Sequence, residues 1–269
     1  MKAATRCAAV ILAVLAIGGG PGEGASPLAA QELRGWVSEA GDATAQLRYP
    51  AREGVEICTN GLQMRHGDSQ RVRVRGRWEE PRCEEGPIHL ELRVRDGWVR
   101  GVEVLDLEEL EKVGTETVDL GLRPGEEVVE FLEWIAREGG VGDGAEEAVF
   151  PMVVADVQEV WRPLLALARD RALPEDVRTD ALFWVSQEAT QVVTAELSEV
   201  AADEEEDGEV REAAVFALSQ RPDGEGVPHL MDLARTAEHA DTRASALFWL
   251  AQEDRPEVVS FFEEILRGG

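Results

Sequence analysis

Residues 71–78 read RVRVRGRW, charged and apolar positions in strict alternation, and residues 88–94, IHLELRV, put Ile88, Leu90, Leu92 and Val94 on one side and His89, Glu91 and Arg93 on the other. A period of two is that of a strand with one face buried. Asp96-Gly97 follows, then Trp98-Val99-Arg100, which predicts a two-residue hairpin with positive φ at both central positions. The apolar phase then slips from Val99 to Val102 and Val104, so a bulge is expected near Gly101. Residues 44–49, 55–59 and 115–120 read as further strands of a small antiparallel sheet with one face on the helical part.

From Asp106 the period lengthens. Asp106 and Glu109 have capping-box spacing. Val128, Val129, Leu132 and Ile135 form the stripe of a helix over residues 126–137, with Glu126 and Glu127 at the positive end of its dipole and Gly139-Gly140 as its stop. Residues 139–144 read as a short flexible connector, and Asp156 with Glu159 repeats the capping-box spacing before VWRPLLALARD.

A third pattern dominates the remainder: ALFWVSQ at residues 181–187, AVFALSQ at 214–220 and ALFWLAQ at 246–252. The blocks stand 33 and 32 residues apart, and Val177-Arg178, Val210-Arg211 and Thr242-Arg243 precede them in register. A second apolar set follows each block: Val193, Leu197 and Val200, then Leu230, Leu233 and Ala234, then Phe261, Ile265 and Leu266. Leu164, Leu165, Leu167 and Ala168 match that set one period earlier. Each unit is therefore a helix pair with its turn near Gln187, Gln220 or Gln252, and a period of this size predicts an α-solenoid whose units stack to continue one core. Phe183, Phe216 and Phe248 are expected to fill space left by small residues of the next unit, and the three glutamines to satisfy orphan carbonyls at the turns.

Together these patterns give an α+β chain: a leader (residues 1–30), a β-rich N-terminal module (31–122), a helical connector (123–155) and a C-terminal α-solenoid (156–269). At 269 residues with 44% apolar content, the chain can bury a sizeable core. Residues 31–105 carry 12 arginines against 13 acids, whereas residues 106–269 carry 13 basic and 40 acidic residues. An excess of this size disfavours nucleic acid and favours a basic partner. The stripe Arg71, Arg73, Arg75 and Arg77 suits an anion site less well than ion pairing with Glu79, Glu80, Glu84, Glu85 and Glu91.

Lys2 and Arg6, the apolar run 8–17 and Leu28-Ala29-Ala30 have the form of a secretory signal cleaved near Ala30, and no later run is long enough for stable membrane insertion. Only Lys2 and Lys112 are lysines, which suits a GC-rich bacterial genome and a periplasmic or secreted product. In that compartment Cys58 and Cys83 are expected to form a disulfide; two buried thiols are the alternative, and a metal site would be half empty.

The pattern V-R-x-x-A-[LV]-x-x-[LV] over residues 161–266 resembles the first helix of the short bacterial HEAT repeats related to phycobilisome lyases. The resemblance implies that Arg178, Arg211 and Arg243 bond to an acid or carbonyl of the adjacent unit rather than to a ligand. Trp184 and Trp249 read as packing, and the run 202–207, ADEEED, as a solvated loop rather than a calcium site. His66, His89, His229 and His239 have no metal-ligand spacing, and no nucleophile or phosphate-loop motif occurs, so no catalytic residue, metal or cofactor is assigned. The expected function is exported protein–protein interaction or scaffolding with a protein or peptide partner. The alternative, implied by the resemblance alone, is a lyase-type enzyme acting on a tetrapyrrole-carrying partner.

Overall fold

The N-terminal alternation produces two four-stranded sheets, not one. The structure, a computed structural model, describes residues 27–66, 70–73, 81–187 and 191–268. Helix α1 (Pro27–Glu39) precedes strand β1 (Ala43–Tyr49). An excursion follows through β2 (Val55–Cys58), β3 (Gly61–His66), β4 (Gln70–Arg73) and β5 (Cys83–Glu84), which pair antiparallel in the order β4-β3-β2-β5. The chain returns as β6 (Ile88–Arg95), β7 (Trp98–Val104), the short helix α2 (Leu107–Leu110) and β8 (Val118–Leu122), and the second sheet has the order β7-β6-β1-β8. Here β1 runs antiparallel to β6 but parallel to β8, a mixed edge that alternation could not announce.

Where local chemistry dictates geometry, expectation and structure agree. Asp96 and Gly97 have φ of 52° and 77° in the β6–β7 turn, the left-handed pair that a tight hairpin needs. Pairing shifts between Val94↔Val99 and Arg93↔Gly101, so Arg100 is the extra residue of the bulge. On β1 and β6, Ala45, Leu47, Tyr49, Ile88, Leu90 and Leu92 all face inward, as period two requires. The α2 capping box is present: Asp106 accepts from the Glu108 and Glu109 amides, and Glu109 accepts from the Asp106 amide. Cys58 and Cys83 are directly opposed on β2 and β5 and form a disulfide. The arginine stripe beyond Arg73 lies outside the described residues.

Helices α3 (Gly125–Trp134), α4 (Asp143–Glu146) and α5 (Val149–Val153) follow, with a π-helical turn, Ile135–Gly139, ending α3. Val128, Phe131, Leu132, Ile135 and Met152 join the core of Leu47, Leu90 and Leu92, and α1 packs on α3 through its own buried Leu33 and Val37. Residues 139–144 are not a flexible connector. Gly140 bridges to Val99, the Val141 amide donates to the Val99 carbonyl at 3.0 Å, and a Cβ on Gly144 would lie 2.5 Å from that carbonyl oxygen. The glycines there permit close backbone approach. The second capping box also fails: Glu159 has φ 55°, α6 (Trp161–Ala168) starts after it, and the Asp156 amide donates to the Pro50 carbonyl instead.

The rest is a two-layer stack of helix pairs: α7 (Glu175–Ser186), α8 (Gln191–Ala202), α9 (Gly208–Ser219), α10 (Val227–Thr236), α11 (Ala240–Leu250) and α12 (Pro256–Gly268). In one layer α7, α9 and α11 are neighbours, while α6, α8 and α10 back onto α7, α9 and α11. One continuous core runs from the sheets to Val258 and Phe261 of α12. Among the described residues, no helix is long and apolar enough to cross a membrane.

Phe183 and Phe248 are not its filling, contrary to expectation; Phe216 alone keeps part of the expected role, packing on Trp249 of the next unit. Ala181, Leu182 and Val185 already cover the inner side of α7, and at 100° per residue Phe183 points about 200° from Ala181. Phe183 is 39% exposed, Phe248 is 57% exposed and Phe216 is half-buried.

Candidate functional site: an outward aromatic row over inward arginine clasps

The helices α7, α9 and α11 each carry one basic residue: Arg178 and Arg211 turn inward, and Arg243 is half-buried against the loop before its helix. Arg178 is fully buried: its Nε donates to the Ala168 carbonyl at the end of α6 at 2.9 Å, and its two terminal nitrogens donate to Glu206 and, at 2.9 Å, to Asp207 before α9. One planar fork thus ties α6 and α7 to the loop that leads into α9. Arg211 donates to the Glu206 carbonyl and, at 3.3 Å, to Thr242 Oγ1 on α11. Arg243 donates to the Ala237 and Glu238 carbonyls at 2.6 and 2.7 Å in the α10–α11 loop. The acidic run 202–207 is therefore more than a solvated loop: Glu206 is buried against Arg178, and Arg171 holds Asp203 at 2.6 Å and Glu205 at 3.3 Å.

At two of the turns a serine shares the part expected of the glutamine. Ser186 Oγ donates to the Phe183 carbonyl and Ser219 Oγ to the Phe216 carbonyl, so the hydroxyls meet the helix-end acceptors. The amides of Gln187 and Gln220 donate to those hydroxyls at 2.9 and 3.0 Å. In the third block Ala251 replaces serine, and Gln252 is exposed. Sequence reading also passed over Arg221, whose guanidinium donates to Thr194, the Ser186 carbonyl and Glu225. It stands at no repeated position, so periodicity carried no signal for it.

With Arg178 and Arg211 turned inward, the outer face of α7, α9 and α11 is aromatic and acidic. Asp176, Glu209 and Asp241 are exposed seven residues before Phe183, Phe216 and Phe248, and Glu212 four before Phe216, on the same helix face as the ring that follows. Tryptophans support the row from beneath. Trp184 meets Phe183 edge-on with ring centres 4.9 Å apart and leans on Phe150 of α5 at 5.0 Å. Trp249 repeats this with Phe248 at 5.1 Å and Phe216 of α9 at 5.0 Å. Rings held in this way form an ordered surface.

Asp180 lies one turn before Trp184. Burial, and then the nearby Glu146 of α4, push its carboxyl up from 3.8 to about 6, while the Trp184 indole N–H pulls weakly the other way. A folded-state value above the unfolded one means that stability from the protonated form is full below about 3.8 and is lost as pH rises to about 6. Asp180→Asn keeps the acceptor for Trp184 without the charge. It is expected to stabilise the fold at pH 7.5 by on the order of 2 kcal/mol and to leave it unchanged at pH 3.5, as read from paired thermal melts.

No protein-family model and no curated protein matches the chain, so the arrangement of its own residues carries the functional reading.

Proposed function

We propose that this chain is an exported interaction or scaffolding protein built on HEAT-like repeats, holding a basic protein or peptide along the row Phe183, Phe216 and Phe248. The proposal rests on the exposure of Phe183 and Phe248 at the same position of two repeats, where burial would have been favourable, with Phe216 half-buried between them. A repeat stack offers one extended surface to which every unit contributes the same group. Arginine or lysine side chains of a partner can lie on the phenylalanine faces and reach Asp176, Glu209, Glu212 and Asp241. The Cys58–Cys83 disulfide supports export, as does the secretory form of residues 1–30, although residues 1–26 lie outside the described residues.

Capture from an envelope extract of the native host tests this reading. The wild-type chain is expected to retain a partner at low salt and release it at high salt. Phe183→Ser/Phe248→Ser is expected to lose that partner while remaining folded, at a cost of about 2–3 kcal/mol, because both rings are partly open to water. A catch that survives both high salt and the double substitution contradicts the reading.

A further inference from the structure

The aromatic row continues past Phe183. Trp184 packs on Phe150, and Phe150 lines a cavity of about 280 Å³ where the two sheets meet the helices. Its apolar wall is Leu62 of β3, Val102 and Val104 of β7, and Phe150 and Pro151 of α5. Its charged lining is one guanidinium, Arg93, against four carboxylates: Glu103, Asp106, Glu109 and Glu147.

These groups leave room for another cation. Arg93 lies 3.1 Å from Glu103 and 3.6 Å from Glu147, so a guanidinium already rests between two of the carboxylates. Glu147 also accepts from the Val102 amide at 2.8 Å, and the capping box uses Oδ1 of Asp106 and Oε2 of Glu109. An anion would meet these carboxylates unfavourably, and a neutral apolar group would leave them unanswered. A long basic side chain fits both halves, its methylenes on the apolar wall and its head among the carboxylates. The volume is just below the usual range for a small-molecule site, about 300–1,000 Å³, and suits one side chain.

We propose that this cavity anchors one lysine or arginine side chain of the partner, whose backbone continues onto the phenylalanine row. The source of that side chain rests on the function proposed above; the cavity's preference for an alkyl cation does not. The test uses n-pentylamine and n-pentanol as probes on the full chain, followed by NMR of the Leu62 and Val104 methyl groups. Saturable shifts are expected with the ammonium, with the alcohol binding at least tenfold more weakly. Glu109→Gln, which keeps the capping acceptor, is expected to weaken the ammonium at least threefold. Equal binding of both probes, binding of neither, or indifference to Glu109→Gln overturns the proposal. Since no partner is needed in that arm, its failure is distinct from failure of the capture experiment. In the second arm, saturating pentylammonium at constant ionic strength is expected to release the captured partner; ammonium that binds while capture is untouched overturns the assignment to the partner's side chain.

Discussion

Arg178→Ala is expected to destabilise the chain by about 3–5 kcal/mol, the largest effect of any single substitution considered. The guanidinium is fully buried and joins the α6 carbonyl of Ala168 to Glu206 and Asp207 ahead of α9. Truncation leaves Glu206 buried without its main counter-charge and the Ala168 carbonyl without its donor. Asp207 contributes less, because its side chain is half exposed. Arg178→Lys is not expected to restore stability, since a single ammonium cannot reproduce a planar fork with three acceptors. Arg178→Met/Glu206→Leu is expected to recover much of the loss, because it removes the stranded charge as well. Denaturant midpoints of the three variants check the order, and an Arg178→Ala midpoint equal to wild type would show that the clasp holds nothing together.

Replacing Cys58 and Cys83 by serine is expected to cost about 3 kcal/mol, the loop-closure entropy of a bridge spanning 25 residues. The loss should fall on one sheet. β5 has two residues and, among the described residues, pairs with β2 alone, so without the covalent link its edge is too short to persist. Hydrogen exchange reads this directly: amides of β2 and β3 lose protection in the double serine variant while those of α7 and α9 keep theirs. Uniform loss across the chain would place the bridge's effect elsewhere.

Much of this fold was legible because it depends on neighbours in sequence. The Asp96-Gly97 turn, the slip around Arg100 and the Asp106/Glu109 box are each set within a few residues, and the 32 to 33 residue spacing announced the helix stack. Pairing between distant segments was not legible. Alternation shows which face of a strand is buried but not its partner, so two sheets read as one and the parallel β1–β8 edge went unseen. Helix α1 was missed beside the leader, although Ala30, Leu33 and Val37 carry its stripe. Repetition of the phenylalanines was correctly visible, but it marks a residue the stack retains and not the side it faces. The angular offset between Ala181 and Phe183 held that information. Asp180 and Arg221, at unrepeated positions, gave no periodic signal.

On the proposed reading, Phe183 and Phe248 form the contact surface while alanine, leucine and valine build the interior. Hydroxyl-radical footprinting of the free chain and of its captured complex tests it most directly, with fully buried Phe131 as the internal reference. Phe183 and Phe248 are expected to be oxidised in the free chain and protected in the complex, and Phe131 to be unreactive in both. Phe183 and Phe248 as unreactive as Phe131 in the free chain, or equally oxidised with and without the partner, would contradict it.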